Sequence, residues 1–283
     1  MNIIGILTKP QFPELEAVIK DLVAWLHVRK KTVALGTSAA TLLQETDAHG
    51  DQVVANQAEL VIVLGGDGTM LSAARLVEAN CTPILGVNVG GLGFLTEVTV
   101  ENLYDSLEKI FAQQFYLDHR LRIQASISHL TGHEEHGTAL NEIVISKGAI
   151  GRMIKTRIQV DKNFVTNLRS DAVIVSTPTG STAYSMSSGG PILDPSLETL
   201  LLTPVSPHTL THRPLLIPGH ASLEINLTSE DEVRGLFDGQ VGFGMSHSDS
   251  ITISASPHQT HLIRFPDRTF YDILRNKLKW GDG

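Results

Sequence analysis

Short apolar runs alternate with amphipathic stretches over about the first 115 residues, and this pattern predicts strands and helices in turn. NIIGIL at 2–7 has the composition of a buried strand. Leu15, Val18, Ile19, Leu22, Val23 and Leu26 then recur at the spacing of one helix face, with Pro13 near its first turn. TVALG at 32–36 and LVIVLGG at 60–66 read as strands, a helix follows from about 69 to 79, and PILGVNV at 83–89 reads as another strand. A last helix is expected over about 101–115, with Leu103, Leu107, Ile110 and Phe111 on one side. Strands alternating with helices imply a parallel sheet covered on both faces, in Rossmann- or flavodoxin-like layers.

From about residue 121 the period shortens from 3.6 to 2. RLRIQASIS, TALNEIVIS, MIKTRIQVD, DAVIVST, SLEINLT and SITISAS are short, rich in Ile, Val, Thr and Ser, and separated by polar turns. They predict a mostly antiparallel, β-sandwich-like second domain. The tail FYDILRNKLKW at 270–280 returns to helical spacing, with Phe270, Ile273, Leu274 and Leu278 on one face, and is expected to dock on the first domain. The expected division is 1–118 with 264–283 for the α/β domain and 119–263 for the β-rich one.

Composition narrows the function. The chain has 283 residues, 42% of them apolar and 18% charged, as in a soluble globular protein. Its formal net charge of −8 gives no reason to expect nucleic acid or an anionic membrane as partner. The opening MNIIGILTKP lacks a basic leader and a small-residue cleavage site, and no apolar run approaches the roughly 20 residues of a membrane span. A cytoplasmic protein is therefore expected. The single cysteine, Cys81, forbids an intrachain disulfide and reads as a small residue before a buried strand. His129, His133 and His136 fall in SHLTGHEEHG, which reads as a hairpin loop rather than a metal site.

The chemistry concentrates where the first pattern breaks. After the apolar run 60–64 come Gly65, Gly66, Asp67, Gly68 and Thr69, opening the next helix. Glycines let the backbone bend tightly and approach a ligand, and a helix N-terminus favours phosphate. Asp67 in that setting suggests a base or metal ligand beside a phosphate; a plain turn with a solvated acid is the alternative. GGLGFL at 90–95 repeats the arrangement after the next strand, so both turns are expected to face one crevice.

Three further groups lie in the second half. Asn141 and Glu142 open an apolar strand, where both could reach ligand hydroxyls, although an exposed edge pair is the plainer reading. Arg169 and Asp171 precede the strand 172–175, and a hydroxyl-rich stretch from Ser176 to Ser187 follows it, suited to phosphates or sugar hydroxyls. Tyr184 could lay its ring against a base. FDGQ at 237–240 reads first as a β-hairpin turn, and Arg152 with Lys155 after KGAIG could screen a phosphate.

GGDGT, NVGGLGFLTE, NEIVISKG, RSDAVIVSTPTGSTAYSMSSGGP and FDGQ, in this order and spacing, resemble the bacterial-type NAD kinases over nearly the whole chain. GGDGT alone is shared with diacylglycerol and sphingosine kinases; the combination is much more specific. The resemblance implies phosphorylation of the 2′-hydroxyl of the adenosine ribose of NAD. ATP, another nucleoside triphosphate or polyphosphate would be donor, with a divalent cation, usually Mg²⁺, and a homo-oligomer (dimer or tetramer). It implies that Asp67 accepts the hydroxyl proton or helps place the metal, and that Gly65, Gly66, Gly68 and Thr69 form the donor-phosphate loop. Gly68 would also lie against the substrate. Asn141 and Glu142 would hold ribose hydroxyls, Arg152, Arg169 and Asp171 would line the dinucleotide site, and Thr182, Ala183, Tyr184, Ser185, Met186 and Ser187 would line one end of it. Gln240 would complete the pocket. No GxxxxGK[ST] loop is present, so the donor is not held as in P-loop enzymes. A GGDGT-type lipid kinase and a non-catalytic NAD or NADP sensor are the rival readings at this level.

Overall fold

Leu60–Gly65, the apolar run that ends in the first glycine pair, is a strand buried along its whole length. It stands inside a sheet because its Ile, Val and Leu side chains are covered on both faces, as in parallel α/β proteins. In the computed structural model, which describes residues 1–9, 12–45, 49–91, 93–148, 152–230 and 233–280, the chain divides into two units. The first comprises residues 1–119 and 260–283 and the second residues 120–259.

The first unit opens with β1 (Ile3–Thr8), α1 (Leu15–Val28), β2 (Thr32–Leu35), α2 (Thr37–Leu42) and α3 (Asp51–Gln57). It continues through β3 (Leu60–Gly65), α4 (Asp67–Leu76), β4 (Ile84–Asn88), β5 (Val98–Thr99), α5 (Leu103–Phe111) and β6 (Tyr116–Arg120). α1 buries Leu15, Ile19, Leu22 and Leu26, the face that the apolar spacing selects. α4 starts at Asp67, two residues before the expected position, and a 3₁₀ turn at Glu78–Asn80 ends the helical segment. α2 and α3 span six and seven residues, too few for a periodic signal to stand out.

The second unit holds β7 (Ile123–Ser128), β8 (Glu134–Ala139), β9 (Glu142–Lys147), β10 (Ile154–Val160), β11 (Asn163–Ser170) and β12 (Ala172–Ser176). A short helix α6 (Tyr184–Ser187) precedes β13 (Thr199–Val205), β14 (Leu215–Pro218), β15 (Leu223–Leu227), β16 (Val233–Phe237), β17 (Val241–Met245) and β18 (Ser250–Ala255). These strands make two six-stranded sheets, β11-β10-β15-β18-β7-β8 and β14-β13-β12-β9-β16-β17, paired antiparallel. One apolar core takes Ile123, Ile158, Leu223 and Ile251 from the first sheet and Ile143, Val173, Leu200 and Phe237 from the second. The expected sandwich is thus formed. Its hairpins appear where the turn residues predict them, at His129–His133 and at Asp238–Gly239, where both φ angles are positive (51° and 66°).

The chain then returns to the first unit with β19 (Thr260–Arg264) and α7 (Phe270–Leu278). The first sheet runs β2-β1-β3-β4-β19-β6, with β5 also on β4, and β1 to β4 and β19 are parallel. α7 carries a capping box between Thr269 and Asp272 and buries Ile273 and Leu274, so the tail helix packs in the first unit as its pattern predicts. β19, by contrast, is not among the strands that the sequence pattern predicts. Among the described residues no helix is long and apolar enough to cross a membrane.

Candidate active site

In the first unit, Gly65 of β3 and Asn88 of β4 are register partners, so the two glycine turns leave neighbouring strand ends. A cavity of about 150 Å³ is lined by Gly65 and Gly66 from one turn and Asn88 and Gly90 from the other, with Lys9 and Phe12 beside them. Both turns therefore line one crevice, at the carboxyl ends of parallel strands where α/β folds bind ligands. Leu92 of the second turn lies outside the described residues.

Asp67 is the first residue of α4, with Gly66 as an N-cap that contributes no side-chain bond. Its half-buried carboxylate accepts two consecutive amides of the second turn, Phe94 N–H at Oδ2 and Leu95 N–H at Oδ1, both at 2.9 Å. Gly93 makes this approach possible: a Cβ there would stand 2.2 Å from Asp67 Oδ1. Gly65 is constrained in the same way, because its Cβ would meet Thr69 Oγ1 at 2.4 Å. The residues of GGDGT and GGLGFL thus make one clasp around a single carboxylate. Sequence reasoning singled out the acid and the glycines but not the amides of Phe94 and Leu95 that hold it.

The second unit builds its own cluster. Asn141 and Glu142 sit at the start of β9, and Asp238 accepts the amides of Leu140, Asn141 and Glu142 at 2.9, 2.7 and 3.2 Å. In return Asp238 N–H donates to the Glu142 carbonyl at 2.9 Å. The Asp238-Gly239-Gln240 turn is a strap across the Asn-Glu dipeptide. Gly180 closes on the same backbone from the other side, where a Cβ would stand 2.1 Å from the Asn141 carbonyl oxygen. Thr177 ties the pieces together through its amide to Asn141 O and its hydroxyl to Leu140 O.

Burial governs the charges here. Glu142 is 7% exposed and its Oε2 has no hydrogen-bond partner. Burial, and then the nearby Asp238 charge, push its carboxyl up to about 8. Burial raises Asp238 as well, against the pull of its three amide donors and the fully buried Arg122.

The remaining expected residues separate into groups. In the segment after β12, Ser181 donates to Pro178 O and Ser185 shares a hydrogen bond with Thr203, both fully buried. Those two hydroxyls hold the loop's shape. Thr182, Ala183 and Met186 are half-buried, while Tyr184 (44% exposed) and Ser187 lie open. Asp171 pairs with Lys147 at 2.7 Å, a cation that sequence reasoning passed over. Arg152, Arg169 and Gln240 are exposed. The loop after Lys147 falls partly on residues 149–151, which lie outside the described residues.

Comparison with known proteins identifies the family. A family model described as the ATP-NAD kinase N-terminal domain matches residues 4–115, and one described as the ATP-NAD kinase C-terminal domain matches residues 140–265. A NAD kinase of Geotalea daltonii is 41% identical over the full length of both chains. Among solved structures, yeast NADH kinase complexed with NADH superimposes with a TM-score of 0.92 at 22% identity, over all of this chain and 89% of that one. An NAD kinase from Archaeoglobus fulgidus in complex with ATP gives 0.78 at 25% identity over 98% of each chain. The chain belongs to the NAD kinase family and is a phosphotransferase that converts NAD to NADP.

Proposed function

We propose that Asp67 is the residue that makes the 2′-hydroxyl of the adenosine ribose reactive. The observation that carries this reading is the two-amide clasp on its carboxylate at a helix start. Two consecutive N–H donors fix the carboxylate's orientation and leave it further lone pairs for the substrate. The ribose oxygen attacks the terminal phosphorus of ATP, or of another nucleoside triphosphate or polyphosphate. Its proton passes to Asp67, and the bond from that phosphorus to the bridging oxygen breaks, so ADP leaves when ATP is donor. Proton removal by a positioned carboxylate is worth about 10²–10⁴-fold in rate. Alignment and charge neutralisation lower most of the remaining barrier.

Gly65, Gly66, Gly68 and Thr69 cradle the donor phosphates at the positive end of α4. Asn141 and Glu142 hold ribose hydroxyls, which supports a use for the unpartnered Glu142 Oε2. Arg152, Arg169, Asp171, the 182–187 segment and Gln240 complete the dinucleotide site. Mg²⁺ fits as a companion of the nucleotide: among the described residues no group of three His, Cys, Asp or Glu side chains could hold a cation, whereas Mg²⁺ is commonly held by one or two carboxylates plus substrate phosphates. Asp67 would help place the cation if it did not serve as proton acceptor, and the cation would supply charge neutralisation on the transferred group. Leu215 and Leu216, 41% and 51% exposed on the edge strand β14, support a homo-oligomer that covers this edge.

The test is NADP formation from NAD, ATP and Mg²⁺ by the wild type and by Asp67→Asn. The variant is expected to keep its affinity for NAD and to lose about 10²–10⁴-fold in kcat. Full activity in Asp67→Asn would remove the acid from the mechanism.

A further inference from the structure

The peptide unit that joins Phe94 to Leu95 touches two charged side chains at once. Its N–H donates to Asp67 Oδ1 at 2.9 Å, and its C=O accepts from Nη2 of Arg264 at 3.3 Å. Arg264 ends β19, the strand by which the chain re-enters the first sheet. Its side chain is 4% exposed. The other donors of the guanidinium reach Glu97 Oε2 at 2.7 Å, Thr96 O at 3.5 Å and Asp118 Oδ2 at 3.4 Å. Glu97 is itself fixed, since its Oε1 accepts Phe265 N–H at 2.9 Å and its carbonyl accepts from Arg268 at 2.6 Å.

A buried arginine–glutamate pair is weak grounds for stability, because well-packed apolar residues serve a core as well or better. What distinguishes this one is where it points. The guanidinium is a planar fork with donors in fixed directions, and here it grips the carbonyls of Phe94 and Thr96 together with the carboxylate of Glu97. The backbone from 94 to 97 is therefore held from behind while its amides hold Asp67 in front. A cation on the carbonyl side of a peptide also aligns with the peptide dipole, and hydrogen bonds in such a chain polarise one another.

We infer that Arg264 is a positioning residue for the phosphoryl transfer, acting on Asp67 through the Phe94–Leu95 peptide. The inference rests on the reading of Asp67 as proton acceptor. On this view the carboxyl-terminal return of the chain orients the acid as well as completing a sheet.

Steady-state kinetics of Arg264→Lys and Glu97→Gln, each alone and combined with Asp67→Asn, test it. Far-UV circular dichroism and thermal unfolding serve as folding controls. Arg264→Lys is expected to leave KM for NAD within about threefold and to lower kcat about 10–100-fold, since a displacement of about 1 Å can cost about 10²-fold. On the Asp67→Asn background the same substitution should lower kcat no further, because both changes remove one function. Glu97→Gln should show the same pattern with a smaller loss. A folded Arg264→Lys with wild-type kcat overturns the inference, and so does a loss that persists in full without the Asp67 carboxylate. Should Arg264→Lys fail to fold, Glu97→Gln decides on the same two criteria. Wild-type activity of Asp67→Asn by itself is a separate failure, that of the role of Asp67.

Discussion

A methyl group on residue 93 would stand 2.2 Å from Asp67 Oδ1, 2.9 Å from its Cγ and 2.9 Å from Thr96 Oγ1. Gly93 is not among the residues with positive φ, so alanine is compatible with the backbone there and the conflict is with side chains, first the Asp67 carboxylate and then Thr96 Oγ1. Gly93→Ala is therefore expected to fold and to bind NAD, but to displace Asp67 from its two amides. The loss should fall in kcat, by roughly 10²-fold for a displacement of about 1 Å, with KM for NAD nearly unchanged. Steady-state NADP formation measures it, and wild-type kcat in a folded Gly93→Ala would show that the clasp is not needed. The sequence makes Gly66 and Gly93 look alike, as members of similar turns, yet a Cβ at Gly66 meets nothing within 4 Å. The sequence singles out the acid, because a lone carboxylate among glycines before a helix stands where phosphate is favoured. Its clasp was not legible, since backbone amides carry no sequence signal.

The β16–β17 hairpin shows the same limit one level up. Asp-Gly between two apolar runs specifies a tight turn, and the turn forms with both residues at positive φ. Nothing local to FDGQ reveals that Asp238 reaches back to three amides at the start of β9, because strand neighbours distant in sequence are set by the whole sheet. That contact has a consequence in pH. Glu142, buried beside Asp238, titrates near 8 in the folded chain, whereas in the unfolded chain it returns to the ordinary carboxylate range. Between those limits the folded state holds a proton that the unfolded state has lost, so stability falls as pH rises and levels off above about 8. The loss is on the order of a few kcal/mol at most. Glu142→Gln, which mimics the protonated acid, should melt like wild type near pH 4.5 and progressively above it towards pH 8.5. Thermal unfolding of the ligand-free proteins across that range checks this. A gap between the two curves that does not change with pH would show that Glu142 is ionised throughout.

For the whole molecule, the order of elements along the chain matters as much as the elements. The shift from a period of 3.6 to one of 2, and back at the tail, makes the α/β layer, the β sandwich and the returning helix legible. β19 escapes because five residues with a terminal arginine, THLIR, resemble neither a buried run nor an alternating strand. It nevertheless occupies an interior place in the first sheet, between β4 and β6, with Leu262 and Ile263 buried and Arg264 paired to Glu97. A chain ending at 259 therefore leaves two strands without their common partner and Glu97 without its cation. Breaking a buried pair in this way costs about 3–5 kcal/mol before any lost apolar burial is added, a large share of the stability of an ordinary domain. A chain ending at 269 loses only α7, with Ile273 and Leu274, and keeps the sheet intact. The second unit has its own core in either case. Limited proteolysis should then find residues 1–119 degraded and 120–259 protected in the shorter chain, and both units protected in the longer one. Equal resistance of residues 1–119 in the two truncations would mean that the first sheet closes without its last strand.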